Sequence, residues 1–442
     1  MPTKIDFIGG NTKRCLMAMA LPMIAAMFLN MMYNLVDSLW IGNLLGETAY
    51  AALTNSTPII LILTSVAMGA TNSVSILISQ AIGAKDKKKA ESLIATSFCV
   101  AVTFSLLVTI LLEIFLPGIL KALNTPAETY DMAYSYLAIY ILGYLAVYLY
   151  LYFTAVLRSF GNSMFQAVAM LVSTILNAVF DPVFIHFIGF HGAAIATLLS
   201  QMICLLFMLT YLKKKKLFTF KISAFNCSDV LLLIQKAIPS VIQQSIPAIS
   251  TTSLTALVST YSVTAIAAYG VTGKLETILF YPAMALNMVL TTIIGQCAGG
   301  ARYDRAKDYL KCALGYGCGL LVILSVLVVG FSKQLSGLFV RSSDVAVIVG
   351  TYFLIVSIGY VLNTVTNCYL GALNGMGKPS ISMFLMIFYY IVVRMPLAYL
   401  LSYLGFGLNG IWVAVLVSHI VASLAATMTG TVLIRKKGNI KA

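Results

Sequence analysis

Residues 15–40 read CLMAMALPMIAAMFLNMMYNLVDSLW, and the only charged side chain in this run is Asp37. About 20 consecutive apolar residues are enough for a helix to cross the hydrocarbon core of a bilayer. The hydrophobic region of a cleavable signal peptide has only about 7–15 residues. The run therefore predicts a first transmembrane helix rather than a signal peptide.

The remainder of the chain has the same apolar character. Of its 442 residues, 60% are hydrophobic and 10% are charged, whereas soluble domains are about 45–50% apolar and about 25% charged. This composition excludes soluble enzymes, secreted disulfide scaffolds and nucleic-acid-binding proteins, so we expect no nucleic-acid partner. We predict an all-α integral membrane protein with twelve transmembrane helices. The predicted spans are residues 15–40, 51–80, 93–116, 130–156, 165–186, 192–212, 231–258, 265–298, 309–331, 346–372, 380–403 and 410–434.

Basic residues between the spans predict the orientation in the membrane. They cluster at both termini and in every second loop, as at Lys87–Lys89 and Lys213–Lys216, whereas the other loops carry only Lys121, Lys333 and Arg341. Loops rich in Lys and Arg stay on the cytoplasmic side. We therefore predict a multi-pass protein of the cell (cytoplasmic or inner) membrane with both termini in the cytoplasm.

The two halves of the chain resemble each other. TAYAALT from Thr48 aligns with TAIAAYG from Thr264, and the same offset of 216 pairs Gln80 with Gln296. Because each repeat has an even number of spans, the halves share one orientation, and a pseudo-twofold axis along the membrane normal is expected. The predicted boundaries are residues 1–212 for an N-terminal lobe, 213–230 for a cytoplasmic basic linker and 231–442 for a C-terminal lobe.

Charged residues inside the spans are candidates for function, because placing a charge in the bilayer is costly. Asp37 lies in the first span and Asp181 in the fifth, and at about 1.5 Å per helical residue both fall in the outer half of the membrane. Their counterparts in the second half of the chain are not acidic, which favours a specific site. The alternative is that neighbouring hydroxyls or amides satisfy these carboxyl groups at a packing interface.

Asn177 lies one helical turn before Asp181 on the same face of the fifth span. Pro182 follows, and we expect the helix to break there and to free backbone carbonyl groups. A carboxylate, an amide oxygen and free carbonyls together suit a proton or a hard monovalent cation. These residues therefore predict a coupling site for H⁺ or Na⁺, with no organic cofactor.

Two other features leave alternatives open. Glu276 in the eighth span either forms a structural ion pair with Arg394 or binds a substrate cation or a proton. A stripe of five tyrosines on the fourth span either lines a cavity for aromatic or cationic ligands or serves packing and interfacial anchoring, which we favour. The stripe comprises Tyr136, Tyr140, Tyr144, Tyr148 and Tyr152.

Longer motifs carry a family resemblance. The chain contains YNLVDSLWIGNLLG from Tyr33, SQAIGAKDKKKAE from Ser79, RSFGNS from Arg158, LNAVFDPVFI from Leu176 and GFHGAAIATLLSQ from Gly189. Taken together, these motifs resemble those of the MATE (multidrug and toxic compound extrusion) transporters, and AAYGVTGKLE is similar to a bacterial drug-exporter branch. The resemblance implies two six-helix lobes, a V-shaped cavity and drug export coupled to inward movement of H⁺ or Na⁺.

The resemblance also implies a coupling site formed by a first-span acid, a fifth-span Asn and Asp, and a sixth-span threonine. In this chain the matching residues are Asp37, Asn177, Asp181 and Thr197. One branch of the family has an acid in the seventh span, where this chain has Gln243 and Gln244. This departure favours coupling through the first lobe.

We therefore expect a multidrug efflux antiporter, acting as a monomer in the lipid bilayer, that exchanges amphipathic organic cations for H⁺ or Na⁺. The candidate substrate-binding residues are Tyr140, Tyr144, Gln243, Gln244 and Glu276. One alternative is a lipid-linked oligosaccharide flippase, which would favour a cavity rich in Arg and Lys. Another is a membrane enzyme with a polar catalytic cluster. The predicted spans lack both features, and no ATP-binding or hydrolase motif is present.

Overall fold

The computed structural model describes residues 5–123, 125–215, 222–340 and 342–439, and within these ranges the chain is built from α-helices. They are α1 (Thr12–Leu45), α2 (Glu47–Gly83), α3 (Lys87–Ala122), α4 (Ala127–Leu142), α5 (Tyr144–Ser159), α6 (Met164–Ile188), α7 (Phe190–Lys215), α8 (Cys227–Ser259), α9 (Val263–Gly299), α10 (Tyr303–Ser336), α11 (Ser343–Gly375), α12 (Pro379–Ile387), α13 (Met395–Tyr403) and α14 (Gly407–Asn439). A short 3₁₀ turn at Ile222–Ala224 precedes α8, and a π-helical segment, Phe388–Arg394, joins α12 to α13.

Every predicted span coincides with a helix or with a pair of joined helices. Ten helical stretches of the described residues are long and apolar enough to cross a membrane, and the bent pair α4–α5 makes an eleventh. The twelfth predicted span is α8, which has 33 residues but carries polar side chains such as Gln243 and Gln244 along its length. Its lower hydropathy follows from these residues, whereas its length is ample for a span.

Two of the predicted spans are not straight helices. The span predicted at 130–156 bends by 48° between α4 and α5, at Gly143. A Cβ atom on Gly143 would lie 2.0 Å from the Leu198 side chain, so the absence of a side chain lets α7 pack closely there. The span predicted at 380–403 widens into the π-helical segment just before Pro396, whose missing N–H removes a hydrogen bond from the preceding turn.

The predicted break at Pro182 is wrong. Helix α6 continues through Pro182 to Ile188, because a proline removes only one helical hydrogen bond and the flanking turns keep theirs. Transmembrane helices tolerate this loss when neighbouring groups compensate for it. The candidate site near Asp181 is therefore built from side chains of an intact helix.

Contacts group the chain into two compact units. The N-terminal unit comprises Ala25–Ile78 and Asp86–Ala237, and the C-terminal unit comprises the residues up to Ile24, Ser79–Lys85 and the residues from Ile238 onward. Helices α1, α2 and α8 contribute to both. The lobe boundaries predicted from the sequence remain a prediction, and residues 216–221 of the predicted linker lie outside the described residues, as does Arg341.

The internal repeat is visible inside the C-terminal unit. A Cβ atom on Gly83 would lie 2.0 Å from the carbonyl oxygen of Gln296, and one on Gly299 would lie 2.0 Å from the carbonyl oxygen of Gln80. The aligned residues thus make the same contact in both directions, as a twofold relation requires. Both positions need glycine because the two helix ends approach within backbone contact.

Candidate cation site

Three helices of the N-terminal unit bring the predicted coupling residues together. Helix α1 supplies Asp37, α6 supplies Asn177 and Asp181, and α7 supplies Thr197. Between 0 and 8% of each of these residues is exposed. The sequence-based assignment therefore corresponds to one buried polar cluster.

Two carboxyl groups face each other in this cluster. Those of Asp37 and Asp181 lie close enough to interact directly, and the Nδ2 of Asn177 donates a 2.9 Å hydrogen bond to Oδ1 of Asp181. The spacing of four residues on α6 places this amide and this carboxylate on one face. Two carboxyl groups in contact require a shared proton or a bound cation to offset their repulsion.

Several oxygen atoms in the cluster lack a donor. Oδ1 of Asp37, Oδ1 of Asn177, Oδ2 of Asp181 and Oγ1 of Thr197 are buried and have no hydrogen-bond partner among the described residues. Buried polar atoms in proteins are nearly always hydrogen-bonded, so four such oxygens in one cluster indicate a bound proton, ion or water. Carboxylate, amide and hydroxyl oxygens are the ligands that hard cations prefer. The donor set fits Na⁺ or a proton.

Tyr33 belongs to this cluster, although the sequence did not single it out. Its hydroxyl lies 3.4 Å from Oγ of Ser200, and Ser200 in turn donates to the carbonyl oxygen of Thr197 at 2.8 Å. Tyr33 precedes Asp37 by four residues on α1, so both side chains lie on one helical face. This four-residue spacing is the feature of the sequence that could identify Tyr33 as a member of the site. Tyr33 links α1 to the turn of α7 that carries Thr197.

The tyrosine stripe of the fourth span is mostly engaged in packing. Tyr144 is fully buried and donates to the carbonyl oxygen of Leu63 at 3.1 Å, and Tyr152 donates to that of Ile94 at 2.8 Å. Tyr140 is 6% exposed. These contacts favour packing over a cavity lining. Tyr136 lies near the cation site, where it interacts electrostatically with the two carboxyl groups.

Glu276 has a different environment, inside the C-terminal unit. Its Oε1 accepts hydrogen bonds from Tyr352 at 2.6 Å and from Tyr360 at 2.9 Å. Arg394 instead donates to Ser418 at 2.9 Å and to the Tyr389 hydroxyl at 2.6 Å. No ion pair joins Glu276 to Arg394 in the part of the chain that the structure describes. Each charge has its own neutral partners.

The two glutamines of α8 are placed in the C-terminal unit as well. Gln243 is 3% exposed, and its Oε1 has no hydrogen-bond partner among the described residues. Gln244 is half-buried. Neither glutamine offers a carboxylate. The C-terminal unit therefore has no acidic residue at this position that would correspond to Asp37 or Asp181.

Comparison with known proteins places the chain in a family. The MatE family model matches residues 22–183 and matches again at residues 239–400. The chain belongs to the MATE family. The two matches begin at Pro22 and Pro239, which confirms the internal repeat, and a MATE protein is a membrane transporter.

Relatives and solved structures agree with this membership. The chain is 28% identical to a "probable multidrug resistance protein YpnP" of Bacillus subtilis, over 95% of each chain. It is 24% identical to an "FAD transporter" of Shewanella oneidensis, over 93% of each. A crystal structure of MATE in complex with MaL6 superposes with a TM-score of 0.94 at 22% identity, covering 99% of this chain and 100% of the other. This likeness confirms the all-α fold of twelve transmembrane helices in two sets of six.

Proposed function

We propose that this MATE protein is a cation-coupled exporter of amphipathic organic cations, driven by inward movement of H⁺ or Na⁺. The observation that carries the proposal is the pair of facing carboxyl groups of Asp37 and Asp181 with its four buried oxygens that lack a donor. Relatives that cover nearly the whole chain are named multidrug resistance or multidrug export proteins. That similarity supports an exporter.

The cluster can bind either ion at the same oxygens. A proton shared between Asp37 and Asp181 supplies the donor that Oδ1 of Asp37 and Oδ2 of Asp181 lack among the described residues. A Na⁺ ion at the unpartnered oxygens offsets the same negative charge, with Asn177 and Thr197 as further ligands. The two ions therefore compete for one site.

Coupling requires that this binding depend on conformation. A ligand shifts a conformational equilibrium only by the difference between its affinities for the two states. The cation must therefore bind more tightly in one facing state, and the organic substrate in the other. The cation would favour the facing state in which the cluster around Asp37 and Asp181 is closed.

The proposed substrate class follows from charge. Within the spans, Glu276 and the acids of the cation site offer negative charge, which favours a cationic substrate. We place the protein in the cell membrane with both termini in the cytoplasm, in agreement with its basic loops.

The test is gradient-driven transport in everted membrane vesicles. Ethidium accumulation is measured with an imposed pH gradient, with an imposed Na⁺ gradient, and with neither. The proposal predicts accumulation under at least one gradient and none without a gradient. FAD is the comparison substrate, because one relative is named for it. Accumulation of FAD but not of ethidium would overturn the substrate class, and transport of both without any gradient would overturn the coupling.

A further inference from the structure

A polar pocket lies where α1 and α10 begin. Its volume is about 500 Å³, within the range of about 300–1,000 Å³ typical of small-molecule sites. Asn11, Thr12 and Lys13 line it from the start of α1, and Arg305, Asp308 and Lys311 line it from the first turns of α10. All of these residues belong to the C-terminal unit.

Positive charge predominates in this pocket. It is lined by three basic side chains and one acidic side chain, and none of them takes part in an ion pair within the described ranges. The nearby Arg302 differs, because Asp304 neutralises it at 2.7 Å. Asp6 contributes some negative charge, since it interacts electrostatically with Arg305. The pocket still keeps an excess of positive charge.

Arg305 is held in place by neutral groups. Its Nη1 donates to Oγ1 of Thr12 at 2.9 Å, and its Nη2 donates to the carbonyl oxygen of Gly10. The guanidinium also lies over the Tyr309 ring, at 5.2 Å from the centroid. Its Nε is buried and has no partner among the described residues. The charge is therefore fixed in position but not neutralised, which suits binding of an anion.

The start of α1 adds a second attraction for anions. The first N–H groups of a helix lack helical partners and carry partial positive charge. Oδ1 of Asn11 accepts the N–H of Arg14, whereas Thr12 and Lys13 begin the helix beside the basic side chains. Backbone N–H groups and cations together form the usual surroundings of a bound phosphate group.

The position of the pocket indicates where the phosphate comes from. Both α1 and α10 are long and apolar enough to cross the membrane, and the pocket lies at their first turns. Phospholipid headgroups occupy this level of a bilayer. The basic loops predict that this end of the two helices faces the cytoplasm. We propose that the pocket binds the phosphate group of an anionic phospholipid headgroup in the cytoplasmic leaflet.

The test uses the purified full-length chain in detergent with short-chain lipids as probes. Dihexanoyl phosphatidylglycerol, dihexanoyl phosphatidylcholine and inorganic phosphate are each titrated, and binding is followed as a rise in melting temperature. We expect saturable binding of phosphatidylglycerol and much weaker binding of the other two. Each lysine near an anionic headgroup is expected to be worth about fivefold in affinity. The double variant Lys13→Gln/Lys311→Gln should therefore bind about 25-fold more weakly.

Two further variants make the test specific. Asp308→Asn removes the acidic lining residue and should tighten binding, a change that mere damage to the fold would not produce. Lys333→Gln is the control for Lys311→Gln alone, because Lys333 lies near the other end of α10, about 33 Å along the helix from Lys311. Lys311→Gln alone should weaken binding about fivefold, whereas Lys333→Gln should leave the affinity within about twofold, because the effect of a charge falls off within a Debye length. Equal weakening by the two single variants would overturn the proposal. Inorganic phosphate binding as tightly as phosphatidylglycerol would show a free-phosphate site instead of a lipid site.

Discussion

Asp37→Asn is the most informative substitution, because it changes charge with almost no change in shape. In the native chain, Oδ1 of Asp37 and Oδ2 of Asp181 are buried without a hydrogen-bond donor among the described residues. The new amide can donate to Asp181, and a hydrogen bond to a charged group contributes about 1.5–3 kcal/mol. We therefore expect the variant to fold and to insert normally. What it loses is one negative charge and the partner for proton sharing.

The size of the effect follows from that lost charge. Two unit charges about 4 Å apart attract each other by about 4 kcal/mol at an effective dielectric constant of about 20. Since about 1.4 kcal/mol corresponds to a factor of ten, Asp37→Asn should weaken Na⁺ binding about a thousandfold. A proton can no longer be shared, because the amide does not titrate. Export should therefore fall to background under either gradient.

The assay compares ethidium accumulation in everted vesicles at matched protein levels, with melting temperatures to confirm folding. Asp344→Asn is the matched control, because Asp344 is exposed at the start of α11, and it should transport at the native rate. Native transport by a well-expressed Asp37→Asn variant would refute the site. An equal loss in the Asp344→Asn control would show that the assay reports general damage.

Four other outcomes are expected. Asn177→Ala should weaken coupling several-fold without abolishing it, since it removes one neutral ligand and leaves both carboxyl groups; the Na⁺ concentration for half-maximal transport measures this. Glu276→Gln keeps an oxygen that can accept hydrogen bonds from the two tyrosines but removes the charge. The KM for ethidium should therefore rise, while transport should still depend on the ion gradient. An unchanged KM would show that Glu276 is not part of the substrate site. Gly83→Ala and Gly299→Ala should each destabilise the protein by about 1–3 kcal/mol, and to similar extents, as thermal unfolding would show. A cysteine at Lys88 should react with an impermeant label only from the cytoplasmic face, and labelling in intact cells would contradict the predicted orientation.

The helices could be predicted from the sequence because lipid imposes the same requirements on each of them. A span needs about 20 apolar residues and intrahelical hydrogen bonds, so the apolar runs alone predict the helix ends to within about six residues. The bend at Gly143 could not be predicted in this way. Gly143 packs against Leu198, a residue of another helix, which occupies the space of the missing side chain. The sequence around Gly143 does not indicate that contact.

The cation site shows where prediction from the sequence reaches its limit. Depth counting along two spans predicts that Asp37 and Asp181 both lie in the outer half of the membrane, and spacing predicts that Asn177 lies beside Asp181. The oxygens that lack a hydrogen-bond donor among the described residues, in contrast, come together only because helices α1, α6 and α7 pack against one another, and local sequence does not predict that packing. The expected break at Pro182 is wrong because the hydrogen bonds of the flanking turns outweigh the local preference of a proline. Tyr33 also belongs to the site, and its four-residue spacing from Asp37 is the only signal of this in the sequence.

The two repeats share their packing but differ in their buried charges, and this difference locates function. Gly83 and Gly299 occupy aligned positions and make reciprocal backbone contacts, which is what a duplicated scaffold requires. The facing acids have no aligned acidic partners. In the C-terminal unit, Glu276 is instead held by two tyrosine hydroxyls. A carboxylate with two hydroxyl donors is stable without a cation, whereas two facing carboxylates that share a single amide donor, Asn177, are not. Ion binding is therefore expected to depend on the N-terminal unit alone.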